Sequence, residues 1–239
     1  MTRAFADEGV HVVAGARKSS AELDVLVATG VVQLVPVDLS TPSGPVDLAA
    51  VALERGRIDI LVNNVGAARP RLGGFLSITD DDWASSIELN LMAAVRTTRA
   101  VLPTMLAARQ GNIVSTSSVN ALLPDPAVLD YSAAKAALSN FSKSLSKEVA
   151  THNIRVNSVS PGPVSTALWL GDDGVARTIA RATGANADEV AQQAAADAAT
   201  SRFTTQEEVA DLIVFLASER AANITGADFT IDGGLIKTL

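Results

Sequence analysis

Short β-branched runs alternate with longer stretches whose apolar positions recur every three or four residues, and this alternation organises the whole chain. The short runs occupy residues 10–14, 31–35, 58–62, 112–116, 154–159 and 227–231, and each reads as a buried strand. Between them the helical period predicts helices over 45–55, 80–109, 130–152 and 205–218. Strands that alternate with helices specify an α/β fold: a Rossmann-type, doubly wound parallel sheet flanked by helices. Asp80 and Thr205 are expected as N-caps, the latter followed by Glu207 and Glu208 in the first turn. The acidic run Asp80-Asp81-Asp82 then reads as capping and dipole complementation, not as a catalytic carboxylate pair. Residues 171–200, rich in glycine, aspartate and alanine, predict two short helices. With no internal repeat and no linker, residues 1–239 are expected to form one domain.

Composition narrows the function. Of the 239 residues 48% are hydrophobic and 19% charged, a globular balance. A formal charge of −7, with no basic cluster, excludes a nucleic-acid partner. No apolar run is long enough to cross a bilayer and no signal peptide opens the chain, so a soluble, cytoplasmic protein is expected. The absence of cysteine removes disulfides, thiol nucleophiles and zinc clusters. His11 and His152 are far apart in sequence and read as structural, and no metal is expected.

The candidate chemistry centres on the only tyrosine. Tyr131 lies four residues before Lys135, so phenol and ammonium can share one helix face. Tyrosine titrates near pH 10, too high for a neutral-pH base, and an adjacent fixed positive charge can lower that by roughly 1–3 units. Ser118 follows the strand at 112–116, where a hydroxyl can donate to a substrate oxygen. No Gly-x-Ser-x-Gly elbow is present, which disfavours serine-hydrolase chemistry. Asn90 interrupts a helical stripe of Ile87, Leu91 and Val95, a place where asparagine needs a semi-buried polar role. Asn63-Asn64-Val65-Gly66 ends the strand at 58–62, either as an ordinary turn or as a nucleotide-contacting one. Pro161-Gly162-Pro163-Val164-Ser165-Thr166 follows the next strand but one; its Val164 amide and Thr166 hydroxyl suit a carboxamide.

With these pieces in register the chain resembles the short-chain dehydrogenase/reductase family over essentially its whole length. The resemblance is carried by Asn64-Val65-Gly66, Asn90, Ser118, the Tyr131–Lys135 pair, Pro161-Gly162, Thr166 and the closing Ile231-Asp-Gly-Gly. It implies Tyr131 as general acid/base, Ser118 orienting the substrate oxygen, and Lys135 holding the nicotinamide ribose and lowering the Tyr131 pKa. Asn90 would fix a water that links Lys135 to solvent. The implied reaction is hydride transfer between a nicotinamide and a carbonyl or alcohol carbon of a small molecule. Relatives that prefer NAD place an acidic residue after the second strand; here Ala16 is followed by Arg17 and Lys18, which favours NADP(H). Asp38 and Leu39 match the pair expected against the adenine.

The resemblance also implies a homo-oligomer, a tetramer or dimer, with the C-terminal segment in one interface. The apolar flanks Leu122, Leu123, Val128, Leu168, Trp169 and Leu170 suggest a lipophilic or cyclic substrate, covered by a lid over 171–200. One departure stands out. The family opens with a strand and a Thr-Gly-x-x-x-Gly-x-Gly turn, and the 239 residues hold neither. Residues 1–8 read instead as the second half of the first helix, closed by Gly9. A central strand is therefore expected to be missing between those at 10–14 and 58–62. The expected reading is an NADP(H)-dependent oxidoreductase whose true start lies upstream, the 239 residues being N-terminally truncated; a catalytically impaired, non-enzymatic fragment is the alternative, and a sugar-nucleotide epimerase, which also uses Tyr-x-x-x-Lys, fits the short chain poorly.

Overall fold

The structure, a computed structural model, describes residues 1–238. Its six strands are β1 (Val12–Ala16), β2 (Val32–Pro36), β3 (Ile60–Asn63), β4 (Gly111–Thr116), β5 (Ile154–Pro161) and β6 (Asp228–Ile231). All pairings are parallel, but they build two sheets: β1 with β2, and β3-β4-β5-β6 in that order. The helices are α1 (Thr2–Asp7), α2 (Ala21–Ala28), α3 (Gly44–Leu53), α4 (Asp80–Ile87), α5 (Ala93–Ala108), α6 (Leu129–Val149), α7 (Ala167–Leu170), α8 (Val175–Thr183), α9 (Ala187–Ala196) and α10 (Gln206–Ala217). Among the described residues no helix is long and apolar enough to cross a membrane.

Two apolar cores lie on opposite faces of the strands. Ile113, Ile154 and Val156 point toward α5 and α6, where they meet Val101, Met105, Leu145 and Val149. Val114 and Val159 point the other way, onto Phe5 of α1 and Val209, Ile213 and Leu216 of α10. The two-residue alternation of strand side chains produces this division, and it makes β4 and β5 apolar on both faces.

Several boundaries differ from the sequence expectation for identifiable reasons. The first strand begins at Val12, not residue 10, because the chain before it is spent on ending α1. Gly9 (φ +76°) donates to Ala6 O (3.0 Å), and Val10 donates to Phe5 O (3.0 Å). That is a Schellman closure with glycine at C′. The helix expected over 80–109 is broken into α4 and α5 by a π turn at Glu88–Met92. Its cap is Thr79, not Asp80. The Thr79 hydroxyl accepts from Asp82 N–H and the Asp82 carboxylate accepts from Thr79 N–H, a capping box that needs the hydroxyl three residues upstream. Thr205 caps α10 in the same way with Glu208. Two short helices, α8 and α9, occupy 171–200 as expected. α2 escaped the period reading because none of its residues is buried; the Ser20 cap was its only signal.

A cavity of about 710 Å³ separates β1 from β3, walled by Phe5, Val12, Ala14, Leu48, Ile60 and Val62 among others. No residue of β1 is fully buried, whereas most of β4 and β5 is.

Candidate active site

A second cavity, of about 640 Å³, opens at the carboxyl ends of β4 and β5. Helix α6 delivers Tyr131 and Lys135 into it, one helical turn apart, both at most 9% exposed. The Lys135 Nζ lies 5.7 Å from the centre of the Tyr131 ring and donates to Thr116 O at 2.7 Å. Ser118, two residues beyond β4, lines the same cavity; its hydroxyl accepts from Asn120 N–H (3.1 Å). The backbone beneath them is tied down, because the Ser117 hydroxyl donates to Lys135 O (3.1 Å).

Asn90 sits in the π turn, 2% exposed. Its Oδ1 accepts from Ala67 N–H (2.9 Å), and its Nδ2 donates to Ala67 O (3.0 Å) and Ser86 O (3.0 Å). A buried amide that stitches helix to loop explains an asparagine on an apolar stripe, and single π turns recur at functional sites. Gly66 belongs to the same cluster. A Cβ there would stand 2.9 Å from Asn90 Oδ1 and 3.1 Å from Lys135 Nζ, so only glycine lets the loop pass this close.

Burial controls the titration of the pair. Desolvation pushes Lys135 down to about 8. Desolvation also raises the Tyr131 phenol above its ordinary value, partly opposed by its hydrogen bond with Ser118. The sequence expectation that Lys135 lowers the phenol is not met: burial leaves it raised. By the pH at which a phenol ionises, an ammonium that titrates near 8 has lost its charge and offers no fixed cation.

A partly buried ion cluster joins the long loop after β3 to the head of α6. Arg71 donates from Nε (3.2 Å) and Nη2 (2.7 Å) to Asp130 Oδ2, and from Nη1 to Asp82 Oδ1 (2.8 Å). Arg71 N–H also reaches Ala127 O. The loop carrying Asn64 to Gly66 is thus fixed to the residue preceding Tyr131. This ion cluster was not expected; its trace in the sequence is one of two arginines, Arg69 and Arg71, in a Gly/Pro-rich loop.

The predicted cofactor residues divide into three groups. Asn64, Gly66, Pro161, Gly162, Val164 and Thr166 line the Tyr131 cavity. Leu39 and Val65 face the cavity between the sheets instead, and Arg17 and Asp38 line neither. Arg17 is exposed just past β1. The Asp38 carboxylate is held by Ser40 N–H (2.9 Å) and Oγ (2.7 Å), which keeps it below its usual range. Of the apolar flanks, Leu123, Val128, Leu168 and Trp169 line the cavity; Leu122 and Leu170 are exposed. Trp169 is braced by the Phe203 ring at 5.5 Å. Leu235, expected at a subunit interface, is a wall of this cavity too.

Comparisons with known proteins place the chain in a family. Residues 1–236 match the family model described as enoyl-(acyl carrier protein) reductase. The chain is 35% identical to an uncharacterized oxidoreductase, YvrD, of Bacillus subtilis, covering 99% of this chain and 91% of that one. It is 33% identical to the 3-oxoacyl-[acyl-carrier-protein] reductase FabG of Thermotoga maritima, covering 98% and 91%. The crystal structure of L-sorbose reductase from Gluconobacter frateurii, complexed with NADPH and L-sorbose, superposes with a TM-score of 0.88 at 35% identity, over 100% of this chain and 92% of that one. By family match, by relatives and by fold, the chain belongs to the short-chain dehydrogenase/reductase family of oxidoreductases, in the branch described as enoyl-(acyl carrier protein) reductase.

Proposed function

We propose that the protein is an NADP(H)-dependent oxidoreductase that interconverts a carbonyl and an alcohol, with Tyr131 as the acid/base. The observation that carries this reading is the convergence of buried Tyr131, Lys135 and Ser118 on one cavity. The residues fit a nicotinamide nucleotide. The buried Lys135 ammonium spends one donor on Thr116 O, and its others are free to hold ribose hydroxyls at the cavity wall. Gly66 leaves room for close approach, and the Val164 amide and Thr166 hydroxyl suit a carboxamide. Arg17, exposed after β1, suits a 2′-phosphate, as the NADPH in the L-sorbose reductase complex makes apt.

When bound, the cofactor supplies or accepts the hydride at the substrate carbon. Ser118 donates to the substrate oxygen and fixes its position. In the reductive direction the Tyr131 phenol gives its proton to that oxygen, and a high phenol pKa keeps the proton in place until then. Lys135, protonated at neutral pH with a value of about 8, is the source from which the phenolate regains its proton, resupplied from solvent through a water that Asn90 fixes. Apolar walls from Leu123, Val128, Trp169, Val175 and Ile179 favour a ketone with a compact apolar body. Exposed Ala133 and Ala136 on α6 offer a flat face for a second copy, consistent with a homo-oligomer.

Tyr131→Phe should lower kcat for NADPH-linked ketone reduction by about two to four orders of magnitude while NADPH affinity holds. Near-full turnover by that variant would defeat the assignment. A second reading, a non-enzymatic form of the fold, is favoured by the cavity between β1 and β3, which we infer to be the position of an absent central strand. The phosphate-cradling turn that follows that strand in the family has no counterpart in the 239 residues. Titration with NADPH separates the readings: saturable micromolar binding supports the enzyme, and its absence supports the alternative.

A further inference from the structure

Ser118 starts a single 3₁₀ turn, Val119–Ala121, and its side chain folds back onto the residue two positions on. The Ser118 hydroxyl accepts from Asn120 N–H (3.1 Å) and donates to Asn120 Oδ1 (3.2 Å). A hydroxyl has one proton to give, and here it rests on the Asn120 carboxamide. Asn120 is half-buried and lines the Tyr131 cavity beside Ser118. Its Nδ2 carries two further donors, and among the described residues no protein group accepts from them. Leu123, just beyond the same turn, and Val128 add apolar wall next to this amide.

The proposed reaction needs the Ser118 proton on the substrate oxygen. A carbonyl that takes it leaves Asn120 Oδ1 without a donor, and a half-buried acceptor stripped of its partner weakens binding. A hydroxyl on the carbon next to the carbonyl repairs the loss, because it donates to Oδ1 and accepts from Nδ2. The spacing suits it: Oδ1 and Ser118 Oγ are 3.2 Å apart, so groups bound to them lie side by side, as oxygens on adjacent carbons do. We propose that Asn120 is a specificity-determining residue and that the substrate is a ketone with a hydroxyl on the adjacent carbon, or the matching vicinal diol in the oxidative direction. The hydroxyl is recognised and not transformed; hydride and proton still go to the carbonyl carbon and oxygen. This inference rests on the reading of Ser118 as the donor to the substrate oxygen.

The test compares cyclohexanone with its 2-hydroxy derivative, which differ by that one hydroxyl, on the 239-residue protein in the presence of NADPH. Calorimetric titration reads affinity and NADPH oxidation reads turnover. The hydroxyketone should bind, and be reduced, at least ~tenfold better than cyclohexanone. Asn120→Ala keeps the main-chain N–H that holds Ser118 and removes the carboxamide, so both ratios should fall to near unity. The kcat/KM for cyclohexanone should then rise, because the Ser118 proton no longer has to leave Asn120; damage to the fold would lower it instead. Three results would overturn the proposal: ratios near unity in the parent protein, ratios that survive in Asn120→Ala, or binding of neither ketone. The two readings fail separately. Tighter binding of the hydroxyketone with turnover of neither counts against the oxidoreductase and leaves the Asn120 subsite standing, whereas equal binding and turnover of both ketones does the reverse.

Discussion

Val62 and Val114 are register partners on neighbouring strands, yet one stands beside a void and the other has no exposure at all. The contrast extends to the two halves of the sheet. Around β4 and β5 every strand has a neighbour on each side and helices on both faces, and Ile113, Val114, Ile154, Val156 and Val159 are at most 1% exposed. Around β1 and β3 the same α/β logic holds in sequence, with apolar runs, caps and crossover helices in place, but one ladder is unmade. Strand identity is a local property, whereas burial depends on a neighbour. The closed half carries Tyr131, Lys135 and Ser118, the residues proposed for the proton chemistry, which needs a dry, rigid setting. The open half carries the groups proposed to read the adenosine end of a nucleotide, Arg17, Asp38 and Leu39, on elements that lack a common frame.

Matched truncations should expose the difference most. Val114→Ala removes a fully buried side chain from a close-packed layer and should cost about 2–3 kcal/mol. Val62→Ala, in the same register, enlarges a space already unfilled and should cost less than ~1 kcal/mol. Urea denaturation of both variants reads the pair directly. Equal costs would mean that the space between the sheets is closed in solution, and the comparison would fail.

The sequence made the closed half legible because its signals are local and mutually supporting. Ser118, Tyr131, Lys135 and Asn90 could be placed from strand ends and helix spacing, and the structure brings all four to one site. What stayed hidden depended on burial or on partners distant in the chain. The phenol and ammonium lie side by side as spacing implies, but only burial reveals that Lys135 falls to about 8 and leaves Tyr131 raised. The Arg71 cluster spans 59 residues to Asp130, a separation no periodicity can report. The π turn at Asn90 looks like ordinary helix in sequence, since one extra main-chain residue leaves no mark on the side-chain pattern until the following stripe is phased. Nothing in the residues of β1 or β3 themselves marks the split between them.

Lys135 sharpens the comparison from the closed side, where the absence of water has a stability cost. Its folded value of about 8 lies below the ordinary 10.5, so between those values the unfolded chain binds more protons than the folded one. Stability from this group therefore rises with pH through that window, and the full penalty applies below it. Lys135→Met should stabilise the protein by about 2 kcal/mol at pH 7, after allowance for the lost bond to Thr116 O, with the gain fading toward pH 10. The raised phenol acts oppositely: it keeps its proton in the fold where an unfolded tyrosine loses it, so its contribution declines above pH 10 and leaves the lower window clean. Thermal midpoints of both proteins at pH 7 and pH 9.5 decide the matter. A destabilised Lys135→Met at pH 7 would show that the closed half solvates this ammonium after all.

Ala16→Asp tests the open half at its most consequential edge. Ala16 ends β1 and directs the exposed Arg17 outward, and the proposed NADP(H) preference rests on the absence of an acid at this position. A carboxylate there repels a 2′-phosphate and accepts from a ribose 2′-hydroxyl, so the ratio of NADPH to NADH affinity should fall by roughly tenfold or more. The position is half-buried at the end of the strand, and fluorescence titration with each nucleotide reads the ratio without turnover. A parent protein that already favours NADH tenfold would refute the reading of Arg17. An unchanged ratio in the variant, with both nucleotides still bound, would carry a different lesson. It would mean that β1 and β2, lacking a ladder to β3, do not hold the ribose end in register with the Tyr131 cavity.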